Sequence, residues 1–432
     1  MFTQPRATLR CSVLAIAAFA MSACSDAVTI PSSNPQITDA GARTASSSAH
    51  EQQKIAVGES AFNDVGLSLK GNQSCSSCHD AKFGFTSPNS AINAGGAVMP
   101  GSVASRFGNR RPPTAAYSSF SPNRYYDAIN DTFVGGMFWD GRATGQITGN
   151  AAADQALEPF LGHGEMALAD KACVVFGVLT SKYIAKYKAV WGNRITTIPF
   201  GAATKGLCAQ ENITIPLAAA DRAKVDAEYI NIGLSISAYE GSDKVSAFNS
   251  RYDAWQRSQN GLTAQELKGL DLFENKAGCA GCHPNAGSKA LFTDFTYDNI
   301  GVPANPQNPA LIANGFVDNG LGAVLNDPAR FGQQKVPTLR NMDKRPSVFD
   351  AKSYMHNGAF KSIAQVVHFY NTRDVLPKCV GTVLPTDPRY GNTCWPAPEV
   401  AANVNVDELG NLGLTAQEES ALVAYLKTLS DR

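Results

Sequence analysis

Apolar residues recur at the three- and four-residue spacing of helices in several segments of this chain. The longest such segment spans residues 222–252 and predicts one helix. Its apolar stripe consists of Val225, Tyr229, Ile232 and Ile236. The segment 284–335 is rich in Pro, Asn and Gly and predicts irregular loops. The pattern therefore indicates a mainly α protein with long irregular loops.

The pentapeptide Leu-Thr-Ala-Gln-Glu occurs at 262–266 and again at 414–418, and each copy predicts the start of a helix. In both copies the Thr and the Glu have the spacing of a capping box, in which each side chain satisfies a backbone N–H of the first turn. The helix after the second copy has one apolar face, which predicts that it closes the C-terminal half. That face is formed by Leu422, Tyr425, Leu426 and Leu429.

Two copies of Cys-x-x-Cys-His carry the chemistry of the chain. They are Cys75-Ser-Ser-Cys78-His79 and Cys279-Ala-Gly-Cys282-His283. In this motif the two thiols attach haem c covalently and the His becomes an axial iron ligand. A zinc half-site or a redox dithiol is the alternative for a single Cys-x-x-Cys, but the repeated final His favours haem. We therefore predict two haem c groups, with His79 and His283 as proximal ligands.

A Gly-x-x-x-Phe pair precedes each motif on a short helical pattern. The pairs are Gly58 with Phe62 and Gly269 with Phe273. A short helix leading into Cys-x-x-Cys-His, followed by an irregular loop, resembles the beginning of a class I cytochrome c domain. We therefore expect two cytochrome c-like haem domains, an N-terminal domain at 50–258 and a C-terminal domain at 259–432.

The first 24 residues have the pattern of an export signal, with Arg6 and Arg10 ahead of an apolar stretch. The stretch ends in Met-Ser-Ala-Cys24, which resembles a bacterial lipobox and predicts a lipid on Cys24; an ordinary signal peptide cut nearby is the alternative. Residues 25–49 are rich in Ser, Pro and Ala and predict a flexible linker. We expect a periplasm-facing protein that reaches the membrane only through this lipid.

Ten cysteines occur in the 432 residues, and six belong to the haem motifs or to the first 24 residues. An oxidising compartment favours disulfides among the other four, and proximity predicts Cys173–Cys208 and Cys379–Cys394; free thiols are the alternative. Lys plus Arg and Asp plus Glu both number 37, so no basic surplus indicates nucleic-acid binding.

Several phrases resemble one family, the bacterial di-haem cytochrome c peroxidase/MauG family. They are Arg-Arg-Pro-Pro-Thr at 110–114, Phe-Trp-Asp-Gly-Arg-Ala at 138–143, Asp-Gln-Ala at 154–156, Glu-Met-Ala at 165–167, Lys-Val-Pro-Thr-Leu-Arg-Asn at 335–341 and Tyr-Met-His-Asn-Gly at 354–358. The resemblance covers nearly all of residues 50–432. It implies that the N-terminal haem reacts with hydrogen peroxide, while the C-terminal haem is six-coordinate and relays electrons.

The sixth ligand of the second haem is expected at Tyr370. The resemblance places it fourteen residues after His356, typically as Met in the peroxidases and as Tyr in MauG. The pattern of a predicted helix at 360–371 turns Tyr370 inward and His368 outward. Met342 and Met355 remain alternatives.

For the first haem, the segment 80–117 contains no histidine, and Met99 is its one obvious iron ligand. We therefore expect an open iron position there. The resemblance implies a carboxylate that moves protons, predicted here as Asp154, with Glu158 or Glu165 as alternatives. Arg142 is grouped with these distal residues, and we expect it to pair with a haem propionate or a nearby carboxylate.

The resemblance also implies one calcium ion between the domains, held by an Asn side chain and two carbonyls. The position of the Asn is taken by Arg111, and the carbonyls are those of Ala351 and Ser353. A cation beside Arg111 is disfavoured, so calcium is doubtful.

Three functions follow. A peroxidase would take electrons from a small periplasmic cytochrome or cupredoxin, and a MauG-like enzyme would take them from a partner protein that it modifies. The third possibility is not an enzyme but an electron-transfer cytochrome or redox sensor, which would have two six-coordinate haems.

Overall fold

The computed structural model describes residues 48–432, so the predicted export signal, Cys24 and the linker up to residue 47 lie outside the described residues. The described chain is mainly helical with long loops. Its helices are α1 (Ala49–Phe62), α2 (Cys75–Cys78), α3 (Ser90–Ala94), α4 (Ala151–Leu161), α5 (Lys171–Leu179), α6 (Ile184–Trp191), α7 (Thr204–Cys208), α8 (Ala219–Glu240), α9 (Arg251–Ser258), α10 (Ala264–Glu274), α11 (Pro309–Asn314), α12 (Gly320–Leu325), α13 (Ile363–Thr372) and α14 (Ala416–Lys427).

Two small antiparallel sheets interrupt the loops. One pairs β1 (Tyr125–Asp127) with β2 (Thr132–Val134), and the other pairs β3 (Tyr297–Asp298) with β4 (Gln334–Lys335). Both strands of the second sheet lie within the segment 284–335. Apart from these strands and short helices, that segment is irregular, as its composition predicts. No helix within residues 48–432 is long and apolar enough to cross a membrane.

The predicted single helix at 222–252 is in fact two helices, so that prediction was wrong at 241–250. Helix α8 ends at Glu240, and α9 begins after Ser250. The Ser250 side chain accepts a hydrogen bond from the Asp253 N–H, while the Asp253 carboxylate accepts one from the Ser250 N–H. This capping box starts a new helix at a position where the apolar spacing alone could not show a break.

Both other capping boxes are confirmed, at Thr263 for α10 and at Thr415 for α14. Both predicted disulfides are confirmed as well, and they join Cys173 to Cys208 and Cys379 to Cys394.

Helices α1 and α8 cross at Gly58 with their backbones in contact. A Cβ on Gly58 would lie 1.8 Å from the Ser235 carbonyl oxygen, so no side chain fits at this crossing. One turn further along α1, the ring of Phe62 meets the ring of Tyr239 edge to face, with 5.3 Å between the centroids. The crossing is the centre of the first hydrophobic core.

Helices α10 and α14 repeat this crossing in the second half. A Cβ on Gly269 would lie 2.1 Å from the Ala421 carbonyl oxygen, and the ring of Phe273 meets Tyr425 edge to face at 5.3 Å. The second core also contains Tyr252 of α9. The chain therefore passes from one core to the other between Phe248 and Tyr252, and the domain boundary at 258/259 stays a prediction.

We predict that Gly58→Ala or Gly269→Ala lowers the free energy of unfolding of the haem-loaded protein by at least about 1–3 kcal/mol, because the new Cβ must push two backbones apart. Chemical denaturation followed by circular dichroism measures this. Gly206→Ala is the control, since it is also helical and has open space around its Cβ position. Equal stability of the Gly58 variant and this control would contradict the close-crossing interpretation.

Candidate haem sites

The first Cys-x-x-Cys-His motif forms the one-turn helix α2, with Ser74 as its N-cap. The thiols of Cys75 and Cys78 are free and half-buried. The His79 ring donates from Nδ1 to the Phe85 carbonyl oxygen at 3.0 Å, which leaves Nε2 available as a ligand. Burial lowers the pKa of His79, so the ring is held in the neutral form that binds metal.

The second motif has the same arrangement on a short helical turn, Cys279–Gly281. The His283 ring donates from Nδ1 to the Phe292 carbonyl oxygen at 2.8 Å, and burial lowers the pKa of His283 to about 4. The thiols of Cys279 and Cys282 are likewise free. Both histidines are thus oriented by a backbone carbonyl, as ligating imidazoles usually are.

A threonine supports each His-binding loop from the opposite segment. The Thr114 hydroxyl donates to the Gly84 carbonyl at 2.8 Å, and the Thr338 hydroxyl donates to the Leu291 carbonyl at 2.6 Å. Each carbonyl immediately precedes the residue that accepts the His N–H. The Pro-Thr pair that both phrases contain therefore supports the loop that orients each proximal histidine.

The first cavity, which contains the free thiols and His79, has a volume of about 480 Å³. Gln155 and Pro159 of α4 line it on one helix face, together with Phe138 and Glu165. The Glu165 carboxylate forms no hydrogen bond to the described residues and faces this space. Burial raises the pKa of Glu165. A Cβ on Gly162 would lie 2.4 Å from Glu165 Oε2, so that glycine leaves room for the carboxylate.

The position of Asp154 does not support the acid–base role predicted for it. Asp154 is 3% exposed and does not line the cavity. Its carboxylate accepts four hydrogen bonds from the preceding loop, from the backbone N–H groups of Gly145, Ile147 and Thr148 and from the Thr148 hydroxyl. Those bonds use its lone pairs to close the loop, so it has no free oxygen for a reacting molecule.

Glu158 and Arg142 pair with each other at 2.9 Å, and Arg142 also contacts Asp140 at 3.0 Å. The guanidinium stacks over the Phe138 ring at 3.6 Å, and Arg142 lines the first cavity whereas Glu158 does not. Arg142 thus pairs with nearby carboxylates, one of the two arrangements expected from the sequence. Of the three carboxylates considered, Glu165 alone borders the cavity.

Met99 also lines the first cavity, but its sulfur accepts a hydrogen bond from the Ser87 hydroxyl at 3.1 Å. The thioether is therefore already engaged by a neighbour on its own loop. Three further possible iron ligands line the same cavity: His163, Met137 and Met166.

The second cavity surrounds His283 and has a volume of about 500 Å³. Tyr370 lines it from α13, together with Val366 and Val367. The Tyr370 hydroxyl forms no hydrogen bond to the described residues, and burial and the nearby thiol of Cys282 raise its pKa. His368 faces away from the cavity and pairs with a carboxylate of α14, as the helix pattern predicts.

The alternative ligands remain near the second cavity. Met342, Met355 and His356 all line it. His356 Nε2 lies 3.3 Å from Glu399 Oε2, which agrees with a hydrogen-bonding role rather than iron ligation. Tyr370 differs from these residues because its hydroxyl group forms no hydrogen bond to the described residues.

Both cavities fit haem. Their volumes are in the range of about 300–1,000 Å³ usual for ligand sites. In the second cavity, the Gln334 side-chain amide is buried with neither its oxygen nor its nitrogen paired, which is costly unless a ligand pairs with it. The residues that would hold the two groups are the four free cysteines, His79, His283 and Tyr370.

The residues do not fit the calcium ion that the sequence resemblance implies. Arg111 is enclosed at the position of the Asn ligand, and the Ala351 carbonyl accepts a hydrogen bond from Asn93 Nδ2 at 2.9 Å. Within residues 48–432 there is no group of three or more His, Cys, Asp or Glu suited to a metal ion. We therefore derive no role for calcium.

The two cavities share a wall formed by residues from the first half of the chain. Trp139 and Arg111 line both cavities. The Trp139 indole donates to the Arg111 carbonyl at 3.0 Å, and its ring lies 6.4 Å from the ring of His356. Trp139 thus stands between the two sites.

Sequence reasoning missed Gln155 and Pro159 as residues of the first cavity. Helical spacing could have indicated them, because residues four apart lie on the same helix face. Gln155 and Pro159 lie on one face of α4, and Asp154 and Glu158 lie on another. Only the docking of α4 shows which of these two faces borders the cavity.

These features define a two-haem oxidoreductase, and the chain belongs to the di-haem cytochrome c peroxidase/MauG family. The family model described as "Di-haem cytochrome c peroxidase" matches residues 52–261. The chain is 33% identical over 395 residues to the methylamine utilization protein MauG of Paracoccus denitrificans, with 87% of this chain and 88% of that protein covered. It is accordingly a di-haem peroxidase-like enzyme.

Two further relatives cover most of the chain. The cytochrome-c peroxidase IdrP1 of Denitromonas iodatirespirans is 25% identical, with 93% of this chain and 84% of that protein covered. The diheme peroxidase BthA of Burkholderia thailandensis has a TM-score of 0.66 and 29% identity, with 88% of this chain and 86% of that chain covered.

We predict that Asp154→Ala lowers the free energy of unfolding by about 1–3 kcal/mol, because it removes the acceptor of the buried Gly145 N–H and of the half-buried N–H groups of Ile147 and Thr148. Chemical denaturation of the haem-loaded protein measures this. Glu158→Ala is the matched control on the same helix, and it removes only an exposed ion pair worth about 0–1 kcal/mol. A larger loss for Glu158→Ala than for Asp154→Ala would contradict the structural role of Asp154.

Proposed function

We propose that this protein reduces hydrogen peroxide at the His79 site, with electrons relayed through the His283 site. The observation that carries the proposal is the difference between two otherwise similar cavities. The first contains a carboxylate without a hydrogen-bond partner among the described residues, Glu165, and the sulfur of Met99 in its lining accepts a hydrogen bond from Ser87. The second contains Tyr370, whose hydroxyl has no protein partner. An open site suits a reaction with a small molecule, and a filled site suits electron transfer.

Covalently bound haem, when present in the first cavity, supplies the iron at which the O–O bond is cleaved. Glu165 would hold the proton taken from hydrogen peroxide and give it to the departing oxygen, which is the role of a general acid–base group. Burial raises the pKa of Glu165 towards neutral pH, which suits a group that both accepts and donates a proton. Gln155 offers an amide in the same lining, and Pro159 and Phe138 contribute apolar surface there.

The relay between the sites is proposed to pass through Trp139. Its ring lines both cavities, and its indole N–H is held by the Arg111 carbonyl. A fixed aromatic ring in the shared wall shortens the distance that an electron has to cross.

A second candidate function is the oxidative modification of a partner protein, which would replace the small electron donor. Two observations favour it: the 33% identity to the methylamine utilization protein MauG and the presence of Tyr370 as the candidate ligand. An anionic oxygen ligand favours ferric and higher oxidation states over ferrous iron. Such a second site would store an oxidising equivalent and accept electrons poorly from a high-potential donor.

The proposal includes the finer features expected from the sequence. These are thioether attachment of both haems, class I cytochrome c character of the two domains, export to the periplasm and a lipid on Cys24. The free thiols beside His79 and His283 support the first of them. The repeated glycine crossings support the second. The last two concern the first 47 residues, outside the described part.

We predict that the resting ferric protein has one high-spin and one low-spin haem, and that Tyr370→Phe alters only the low-spin signal. The phenol is the proposed sixth ligand of the second haem, and its removal leaves the first site untouched. Electron paramagnetic resonance measures both signals.

Tyr390→Phe is the control for this experiment, because Tyr390 is a buried tyrosine of the same half outside the cavity lining. Two low-spin haems in the wild type would support the non-catalytic cytochrome. An unchanged low-spin signal in Tyr370→Phe would assign the ligand to Met342 or Met355.

We predict that Glu165→Gln slows the reaction of the ferric protein with hydrogen peroxide by about 10²–10⁴-fold, the usual contribution of a general acid–base group. Stopped-flow absorption after mixing with peroxide measures the rate. The wild-type rate should rise with pH as the carboxyl, whose pKa is raised by burial, loses its proton.

Glu158→Gln is the matched control and should react at close to the wild-type rate. Equal losses in both variants would remove Glu165 from the proposed role. A wild type that reacts in the fully ferric state favours the MauG-like function, whereas one that reacts only after one-electron reduction favours the donor-fed peroxidase.

A further inference from the structure

Arg111, Lys352 and Lys361 are three of the cations at the seam between the two halves. The Lys361 ammonium donates to the carbonyl oxygens of Asn93 at 2.9 Å, Gly95 at 2.6 Å and Gly358 at 2.8 Å. Two of these carbonyls belong to the first half of the chain and one to the second. A cage of carbonyl oxygens is the environment that proteins commonly offer to a metal cation, and here an ammonium group fills it.

Lys352 makes a similar connection nearby. Its ammonium donates to the Phe83 carbonyl at 2.8 Å and to the Lys344 carbonyl at 2.9 Å, and the side chain is almost fully buried. Burial, and then the charge of Arg111, lower the pKa of both Lys352 and Lys361, to about 7 and about 8. Arg111 is therefore close enough to repel each of the two lysines. We call Arg111, Lys352 and Lys361 the seam cluster.

Arg111 differs from the two lysines because its guanidinium forms no hydrogen bond to the described residues. Burial lowers its pKa to about 10. Its backbone is nonetheless held firmly, since its N–H donates to the His356 carbonyl at 2.8 Å. Arg111 lines both haem cavities, so the accessible part of its side chain faces the space that the two haems would occupy.

The charge of Asp343 acts on Lys352, but the Arg111 guanidinium forms no ion pair with the described residues. A largely enclosed cation of that kind is unfavourable unless an anion reaches it. Two propionate carboxylates accompany every haem, and a guanidinium binds carboxylates through two parallel hydrogen bonds. A divalent cation at the same place would add to the repulsion, and the Ala351 carbonyl is already used by Asn93.

We infer that Arg111, supported by Lys352 and Lys361, is a built-in cation that binds haem propionates from both cavities and replaces a bound divalent metal at the domain seam. This inference rests on the two-haem assignment above. Haem content of each preparation is therefore measured first, and a chain without two haems refutes that assignment rather than the role of Arg111.

The first test is metal content and chelator response of the haem-loaded wild type. We expect far less than one calcium per chain by inductively coupled plasma mass spectrometry, and the same melting temperature in EGTA as in excess calcium. One tightly bound calcium per chain, or a lower melting temperature in EGTA, would overturn the inference.

The second test is the reduction potential of each haem in Arg111→Gln, measured by spectroelectrochemistry. Both potentials should fall, because a nearby positive charge stabilises the reduced iron and its loss removes that effect. Arg111→Lys keeps the charge and should restore much of the shift, which also separates loss of charge from a folding defect.

Arg257→Gln is the matched control, since Arg257 is an exposed arginine of the second half, and both potentials should stay unchanged. A shift confined to one haem, or no shift in Arg111→Gln, would show that Arg111 is not shared by the two sites.

Discussion

The close crossing of two helix pairs is the constraint on which the rest of this molecule depends. At Gly58 and at Gly269 a Cβ would lie 1.8 and 2.1 Å from a carbonyl oxygen of the opposing helix, so the backbones touch. Each crossing brings a Phe of one helix against a Tyr of the other. The loops that leave these crossings carry the Cys-x-x-Cys-His motifs, and their position follows from the helix geometry.

The buried polar groups indicate that the protein alone is incomplete. Glu165, Arg111 and Tyr370 face cavities without a protein partner, and the Gln334 amide is buried with neither atom paired. Such groups are unfavourable in a dry interior. Groups bound in the cavities would supply the missing partners.

Function arises from the difference between the two halves rather than from their likeness. Both histidines donate to a backbone carbonyl, and both loops are fixed by a threonine hydroxyl. The opposite sides of the cavities differ, with a free carboxylate in one and a free phenol in the other. Trp139 and Arg111 line both cavities and so form a wall that the two sites share.

The sequence by itself determined the two haem motifs, the capping boxes at Thr263 and Thr415 and both disulfides, because these depend on spacing along the chain. It did not show the break between α8 and α9. It also could not decide between Asp154 and Glu165, which lie on neighbouring segments. The docking of α4 directs Asp154 towards the preceding loop, where its carboxylate accepts a hydrogen bond from the Gly145 N–H, while Glu165 lines the cavity. Likewise, the unpaired guanidinium of Arg111 between two cavities depends on how the halves pack, since burial and missing partners are properties of contacts distant in sequence.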